Sequence, residues 1–472
     1  MLVTRSTGPH RVADESKTMT GTFPHFIRLC VLLWLTGPLG LAVAEGRLEP
    51  DPVFGGQVYV EEAGDPSKET VVLVHGLGGG ASNDWQGVAQ RLQSHYHVLT
   101  FDLPGFGRSS TGEGDYTPTR YARLLRLLAK RHGIRPFHLV GHSMGGTIAL
   151  RYAARYPDDL KTLTLVGAAG ILHRMAYTKS LAPLGLEQLS GHTLPGKGII
   201  SDLVGVMLER AEAQLPADLG LLMEIPALRQ KVLKGNPSAI AGFALAQEDF
   251  SEALERVTAP TLIVWGELDQ AAPLRTGYAL DSLIPRSLLE VIPGGGHMTI
   301  RDDADRFVSL LRSHVDSTVD PALYRQQPAI GAGSEGQLSC SGRYGQQYTG
   351  RIERLVLDRC TDAVIRNAQI GALEITDSNV LIENSTITGG GTGIRSRGST
   401  VYLTAGRVEG EVAIAAEASR FDIAGTELIG HRSAVEAVSD SSFIFSLGRI
   451  ESLDWPDDSI HGYWLLGSGK RL

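Results

Sequence analysis

The sequence predicts an α/β domain on a mostly parallel sheet with helices on both faces, then an all-β domain of stacked short strands. Three observations carry this. From about residue 57 to 315, short β-branched runs alternate with helical patterns, as in strands joined by crossover helices. Continuous apolar runs such as Val71-Val72-Leu73-Val74 point to strands buried on both faces. Beyond residue 338 the helical period vanishes and strand-like segments recur about every 20 residues, a period that belongs to stacked coils.

Composition sets the bounds. A chain of 472 residues can hold two or three cores, and 42% apolar with 20% charged residues is globular. That excludes a mainly disordered chain and a polytopic membrane protein. A net charge of -8 argues against a nucleic-acid partner, for which a basic face is usual. Three cysteines exclude a disulfide-dense scaffold and a multi-cysteine metal site.

The N-terminus reads as an address. His25 and Arg28 precede an apolar run over residues 29–44, which closes on Ala42-Val43-Ala44. This order predicts a secretory signal peptide over 1–44, hence export to a periplasm or the exterior. The run is short for a membrane span and is broken by Gly37-Pro38; an uncleaved membrane anchor is the alternative. The polar stretch before Met19 does not suit a signal, so Met19 is the expected start. Removing 1–44 takes four Lys/Arg and two acids, leaving a net charge of -10 and two cysteines, Cys340 and Cys360. In an oxidising space these either pair or remain buried thiols.

The α/β elements follow in order. Val71–Val74 and His97–Phe101 are the first two strands of the alternation. Thr117-Pro118 opens a helix, with Thr as N-cap and Pro at the first helical position, and Gly133 ends it. Phe137–Val140, Thr162–Val166, Thr261–Trp265 and Leu288–Ile292 supply further strands. Ligands of such sheets bind at the carboxyl ends of the strands, and each candidate catalytic segment starts there.

Gly141-His142-Ser143-Met144-Gly145-Gly146 sits between a strand and a helix, the G-x-S-x-G arrangement that exposes a serine on a sharp turn. Ser143 is the candidate nucleophile. A hydroxyl needs a base, and His297, in the Gly294–Met298 loop after the last strand, is the candidate. The imidazole needs a carboxylate to fix its tautomer. Asp269, after the Thr261–Trp265 strand, is the choice, with Glu267 as a nearby alternative read as solvated. The Gly-rich loop His75–Gly80 suits an oxyanion hole made by the backbone N–H groups of Leu77 and Met144. Asp102 in Phe101–Ser109 reads as a hydrogen-bonded turn residue.

These five segments, in their order along the chain from His75 to His297, resemble the α/β-hydrolase superfamily over residues about 52–315. The resemblance implies a serine-hydrolase triad of Ser143, Asp269 and His297, and no cofactor or metal. It leaves esterases, lipases, thioesterases and carbon–carbon bond hydrolases open, because a fold hosts many chemistries. A Ser nucleophile argues against the Asp-dependent epoxide and haloalkane hydrolases. Residues about 170–250 show no strand signal. Ile199, Ile200, Leu203, Val204, Met207 and Ala211 recur at helical spacing, resembling the helical cap of such enzymes over an apolar, lidded cleft.

Residues 316–337, rich in Pro, Gln, Gly and Ala, read as a linker. In 338–472, segments starting at Val380, Val401, Phe421 and Phe443 align, with an earlier copy from Val364 about 17 residues ahead. Five turns of a β-solenoid are expected, with Asn367 and Asn384 stacked at a turn and one face docked on the hydrolase. The segment resembles a right-handed parallel β-helix of the pectin-lyase-like kind; an antiparallel sandwich is the alternative. Such a domain suggests carbohydrate contact or a plain spacer.

The whole reads as an exported esterase or lipase-like enzyme acting on a small-molecule or lipid ester. An acyltransferase or a carbon–carbon bond hydrolase would use the same residues. A non-catalytic carbohydrate-binding or adhesion protein is the reading from another class.

Overall fold

The computed structural model describes residues 45–112, 115–173, 176, 236–316 and 334–472. The signal segment 1–44, the start at Met19, the apolar stripe from Ile199 to Ala211 and most of the linker lie outside the described residues.

Eight strands form the first sheet: β1 (Glu45–Pro50), β2 (Gln57–Ala63), β3 (Thr70–Val74), β4 (His97–Phe101), β5 (Phe137–His142), β6 (Leu160–Val166), β7 (Thr261–Gly266) and β8 (Ser287–Ile292). Their order is β1-β2-β4-β3-β5-β6-β7-β8. From β4 to β8 every pair is parallel, while β1 and β2 join antiparallel at one edge. Alternation along a strand sends side chains to opposite faces. Val72 and Val74 accordingly enter one core and Val71 and Leu73 the other. Helices α1 (Gln86–Leu92), α2 (Pro118–Arg131) and α3 (Met144–Arg155) connect the first strands. Thr117 caps α2, its side chain accepting from Arg120 N–H, as its sequence predicts. Helix α4 (Pro237–Gln247) lies in the region read as the cap, and α5 (Ser251–Leu254), α6 (Arg275–Leu283), α7 (Thr299–Asp302) and α8 (Ala304–Val315) complete the domain. Among the described residues, no helix is long and apolar enough to cross a membrane.

The C-terminal part is all-β. Strands β9 (Ser334–Ser341), β10 (Gln347–Asp358), β11 (Ala363–Thr376), β12 (Asn379–Glu383), β13 (Thr386–Thr388), β14 (Thr392–Arg397), β15 (Thr400–Glu417), β16 (Arg420–Ala437), β17 (Ser441–Glu451) and β18 (Asp458–Leu466) form one sheet system. The strands pair in parallel, with β12, β13 and β14 together filling one layer between β11 and β15; only the last pair, β17 and β18, is antiparallel. Parallel pairing of consecutive segments requires each to return to the same end, so an antiparallel sandwich is not what forms. The repeat fixes the register: Val380 pairs with Val401, Val401 with Phe421 and Phe421 with Phe443.

Two expectations need correction. The linker is shorter than 316–337, because β9 starts at Ser334. The stack is also deeper than five: β9, β10, β11, β12, β15, β16 and β17 follow one another in the sheet. The sequence repeat is read only from Val364 onward, yet β10 already sends Ile352, Leu355 and Leu357 into the core.

Asn367 and Asn384 do occupy matching corners, both at positive φ (49° and 48°), followed by Ala405, Gly425 and Leu447 at 52°, 57° and 57°. Asn tolerates this conformation better than most residues. The hydrogen-bond ladder, however, is built by serines. Ser378, Ser399, Ser419 and Ser441 each accept, through Oγ, a main-chain N–H from the preceding layer, and donate to the carbonyl two residues back. Inside, Phe421 and Phe443 stack at 5.3 Å. Cys340 and Cys360 form a disulfide between the first layers. One face of the stack packs on the α/β domain: Ala424, Ile444 and Leu447 join its hydrophobic core.

Candidate active site

The strand-to-helix turn after β5 puts Ser143 at φ 56° and ψ -122°. Such a conformation costs a non-glycine residue about 1–3 kcal/mol, and its surroundings hold it there. Ser143 N–H donates to Val166 O at 2.9 Å, and Ser143 O accepts from Gly146 N–H at 2.9 Å and Ala169 N–H at 3.2 Å. Close packing explains the flanking glycine: a Cβ on Gly145 would lie 2.2 Å from Val74 O.

His297 follows β8. Its Nδ1–H donates to Asp269 Oδ2 at 2.8 Å, which leaves Nε2 as the proton acceptor. The Asp269 side chain is 1% exposed. Its other oxygen accepts Ala271 N–H at 2.9 Å and Ala272 N–H at 2.8 Å, so the buried carboxylate is solvated by backbone. Gly167, at the end of β6, touches both partners: a Cβ there would lie 3.1 Å from Asp269 Oδ2 and 3.3 Å from His297 Nδ1. Val166, the residue before it, is the one that holds Ser143 N–H. The end of β6 thus lies between Ser143 and the Asp269–His297 pair.

The loop after β3 crosses the same spot. A Cβ on Gly76 would lie 2.7 Å from Ser143 Cβ and 3.2 Å from its Oγ. Leu77 is the next residue, and Met144 begins α3. Among the described residues no group accepts from either N–H. Helix α4 passes over this loop, with Gly242 facing Leu77.

Three histidines divide the labour. His75 Nδ1–H donates to Gly76 O, and its Nε2 accepts from Leu103 N–H, both at 2.8 Å. Burial pushes its pKa down to about 4, so it is a neutral clamp between two loops. His142, the residue before Ser143, donates from Nε2–H to His297 O at 2.9 Å, and the two rings lie 4.8 Å apart. Burial holds His142 down at about 3. Sequence reasoning missed this support, because the variable position of G-x-S-x-G carries no signal for it.

Asp102 is a structural hub: it accepts from Ser82 N–H and Oγ–H and from the Arg108 main chain and side chain. Glu267 accepts Gly294 N–H at 2.8 Å, bracing the His297 loop from its exposed side and taking no part in the Asp269–His297 contact.

The chain belongs to the α/β-hydrolase family, whose model, described as the alpha/beta hydrolase fold, matches residues 69–192 and 225–304. Among similar proteins is a 2-hydroxy-6-oxononadienedioate/2-hydroxy-6-oxononatrienedioate hydrolase of Klebsiella pneumoniae. It is 30% identical over 269 residues, which are 54% of this chain and 89% of that protein. An uncharacterised protein of Mycobacterium tuberculosis is 29% identical over 272 residues, 55% of this chain and 79% of its own length. A solved esterase of Thermogutta terrifontis aligns over 58% of this chain and 99% of that one, at 24% identity and a TM-score of 0.43.

Proposed function

We propose that this protein is an exported serine hydrolase that cleaves carboxylic esters, of small molecules or lipids, through an acyl-enzyme. The observation that carries the reading is the His297 imidazole, bonded through Nδ1 to buried Asp269, on the same strand ends as a serine held at positive φ.

Ser143 Oγ attacks the ester carbonyl while His297 Nε2 takes its proton. The carbonyl oxygen becomes an oxyanion, met by the N–H groups of Leu77 and Met144. The carbon–oxygen bond breaks as His297 returns the proton to the leaving alcohol. Water, deprotonated by His297, then attacks the acyl-enzyme, and the acid leaves as Ser143 regains its proton. Asp269 stabilises the imidazolium in both halves.

The Cys340–Cys360 disulfide supports an oxidising compartment, as does the signal-like segment at 25–44. The Klebsiella relative favours a second reading, hydrolysis of a carbon–carbon bond on the same residues. Turnover of a graded series of chromogenic esters beside a 2-hydroxy-6-oxo-dienoate decides. Ester turnover that disappears in Ser143→Ala supports the first reading; turnover of the dienoate alone supports the second.

A further inference from the structure

The stacked strands meet the α/β domain at a chemically pointed place. Helix α6 starts at Arg275, six positions after Asp269 along the chain. Between them the segment is held at Ala271 and Ala272: Asp269 Oδ1 takes the N–H of both, and Ala272 O takes Trp265 Nε1–H at 2.8 Å. The next anchor comes from the other domain. Arg275 reaches Asp422 with both terminal nitrogens, Nη1 to Oδ2 at 2.9 Å and Nη2 to Oδ1 at 3.1 Å. Its Nη2–H also points at Asp422 O at 3.3 Å, and its Nε–H donates to Thr404 Oγ1 at 3.1 Å. The two charged side chains are only 14% and 8% exposed. A planar fork filled on three nitrogens fixes orientation as well as position.

The packing around it is backbone-tight. Gly425 sits at φ 57°, and a Cβ there would lie 2.8 Å from the Cα of Ala279 on α6. Ser282 Oγ–H reaches Gly425 O at 3.2 Å. A second contact serves the other side of the site: His173 N–H donates to Ser446 Oγ at 2.8 Å, on the loop whose Ala169 N–H holds Ser143 O.

We propose that the C-terminal strand stack is a positioning element of the hydrolase site, acting through Arg275 and Asp422 on the segment that presents Asp269 to His297. The role rests on the serine-hydrolase reading above. Asp422 and Arg275 touch no substrate; they set the carboxylate on which the imidazole depends, and small misplacements of such groups carry large rate penalties.

The test is Asp422→Asn in the full chain, with Glu255→Gln as control. Glu255 also pairs across the domain contact, with Arg449, but on an exposed surface and outside the Asp269–Arg275 segment. The readouts are the rate constant for phosphonylation of Ser143 by a fluorophosphonate, kcat and KM on the best ester, and the thermal midpoint. Asp422→Asn is expected to lower phosphonylation and kcat by about 10- to 100-fold with KM within about twofold. Glu255→Gln is expected to change none of them. Should Asp422→Asn fail to fold, Thr404→Val, which removes one bond from Arg275, is expected to give a smaller loss in the same direction. Folded Asp422→Asn labelled at the wild-type rate overturns the proposal, as does an equal loss in Glu255→Gln, or Thr404→Val at the wild-type rate where it is the variant that decides. A wild-type chain that is not labelled at Ser143 defeats the serine-hydrolase reading itself, and the positioning role with it.

Discussion

The Nε2–H of His142 donates to the main-chain carbonyl of His297, 2.9 Å away, so the residue before Ser143 holds the loop that carries His297. Neither group is free to move without the other. Replacing His142 with Ala removes the donor and opens space under the His297 ring. A fall in kcat of about 10- to 100-fold is expected, with KM little changed, because no substrate contact is lost. Steady-state kinetics on the best ester checks it.

The Gly76 contact makes a sharper steric prediction. With Ser143 Cβ 2.7 Å from where an added Cβ would sit, Gly76→Ala must shift either the loop or the serine. Activity should drop by at least about 100-fold, while stability falls by about 1–3 kcal/mol. Denaturant titration beside kinetics separates the two effects.

Buried histidines set an acid limit. His75 and His314 stand near 4 and His142 near 3, each lowered chiefly by burial. The unfolded chain binds these protons near pH 6.5, the folded one only well below. Their contribution is therefore complete above about pH 6.5 and is lost as the pH falls toward 4. The slope approaches about 1.4 kcal/mol per pH unit for each group. Denaturant midpoints between pH 7 and pH 4.5 should fall accordingly, and His314→Gln should flatten the curve. A stability independent of pH across that window would mean that these imidazoles are not buried in the neutral form.

Much of this was legible in the sequence, for local reasons. The Phe137–Gly146 turn carries its strand, its glycines and its helix within ten residues, and the repeat from Val380 to Phe443 aligns with the observed register because stacked layers demand like residues at like positions. What was not legible is long-range or weakly patterned. Strand β2, Gln57–Ala63, alternates only partly and carries Glu61 and Glu62 in succession, so its period is blurred. The serine ladder hid among ordinary turn serines. The contact of Arg275 with Asp422 joins residues 147 positions apart, and nothing local to either one announces it.

The disulfide closes a separation of 20 residues, for which chain entropy gives about 3 kcal/mol. Cys340→Ser with Cys360→Ser should loosen the first layers of the stack and leave hydrolase turnover within about twofold. Hydrogen exchange over residues 334–376 reports the loosening directly.

A Ser143 nucleophile activated by His297 and Asp269 has a covalent signature. Fluorophosphonate labelling of the full chain, with the modified residue mapped by peptide mass spectrometry, tests it most directly. A single adduct on Ser143 is expected, absent in Ser143→Ala and slowed by at least about 1,000-fold in His297→Ala. An adduct on another residue, or wild-type labelling in His297→Ala, would contradict it.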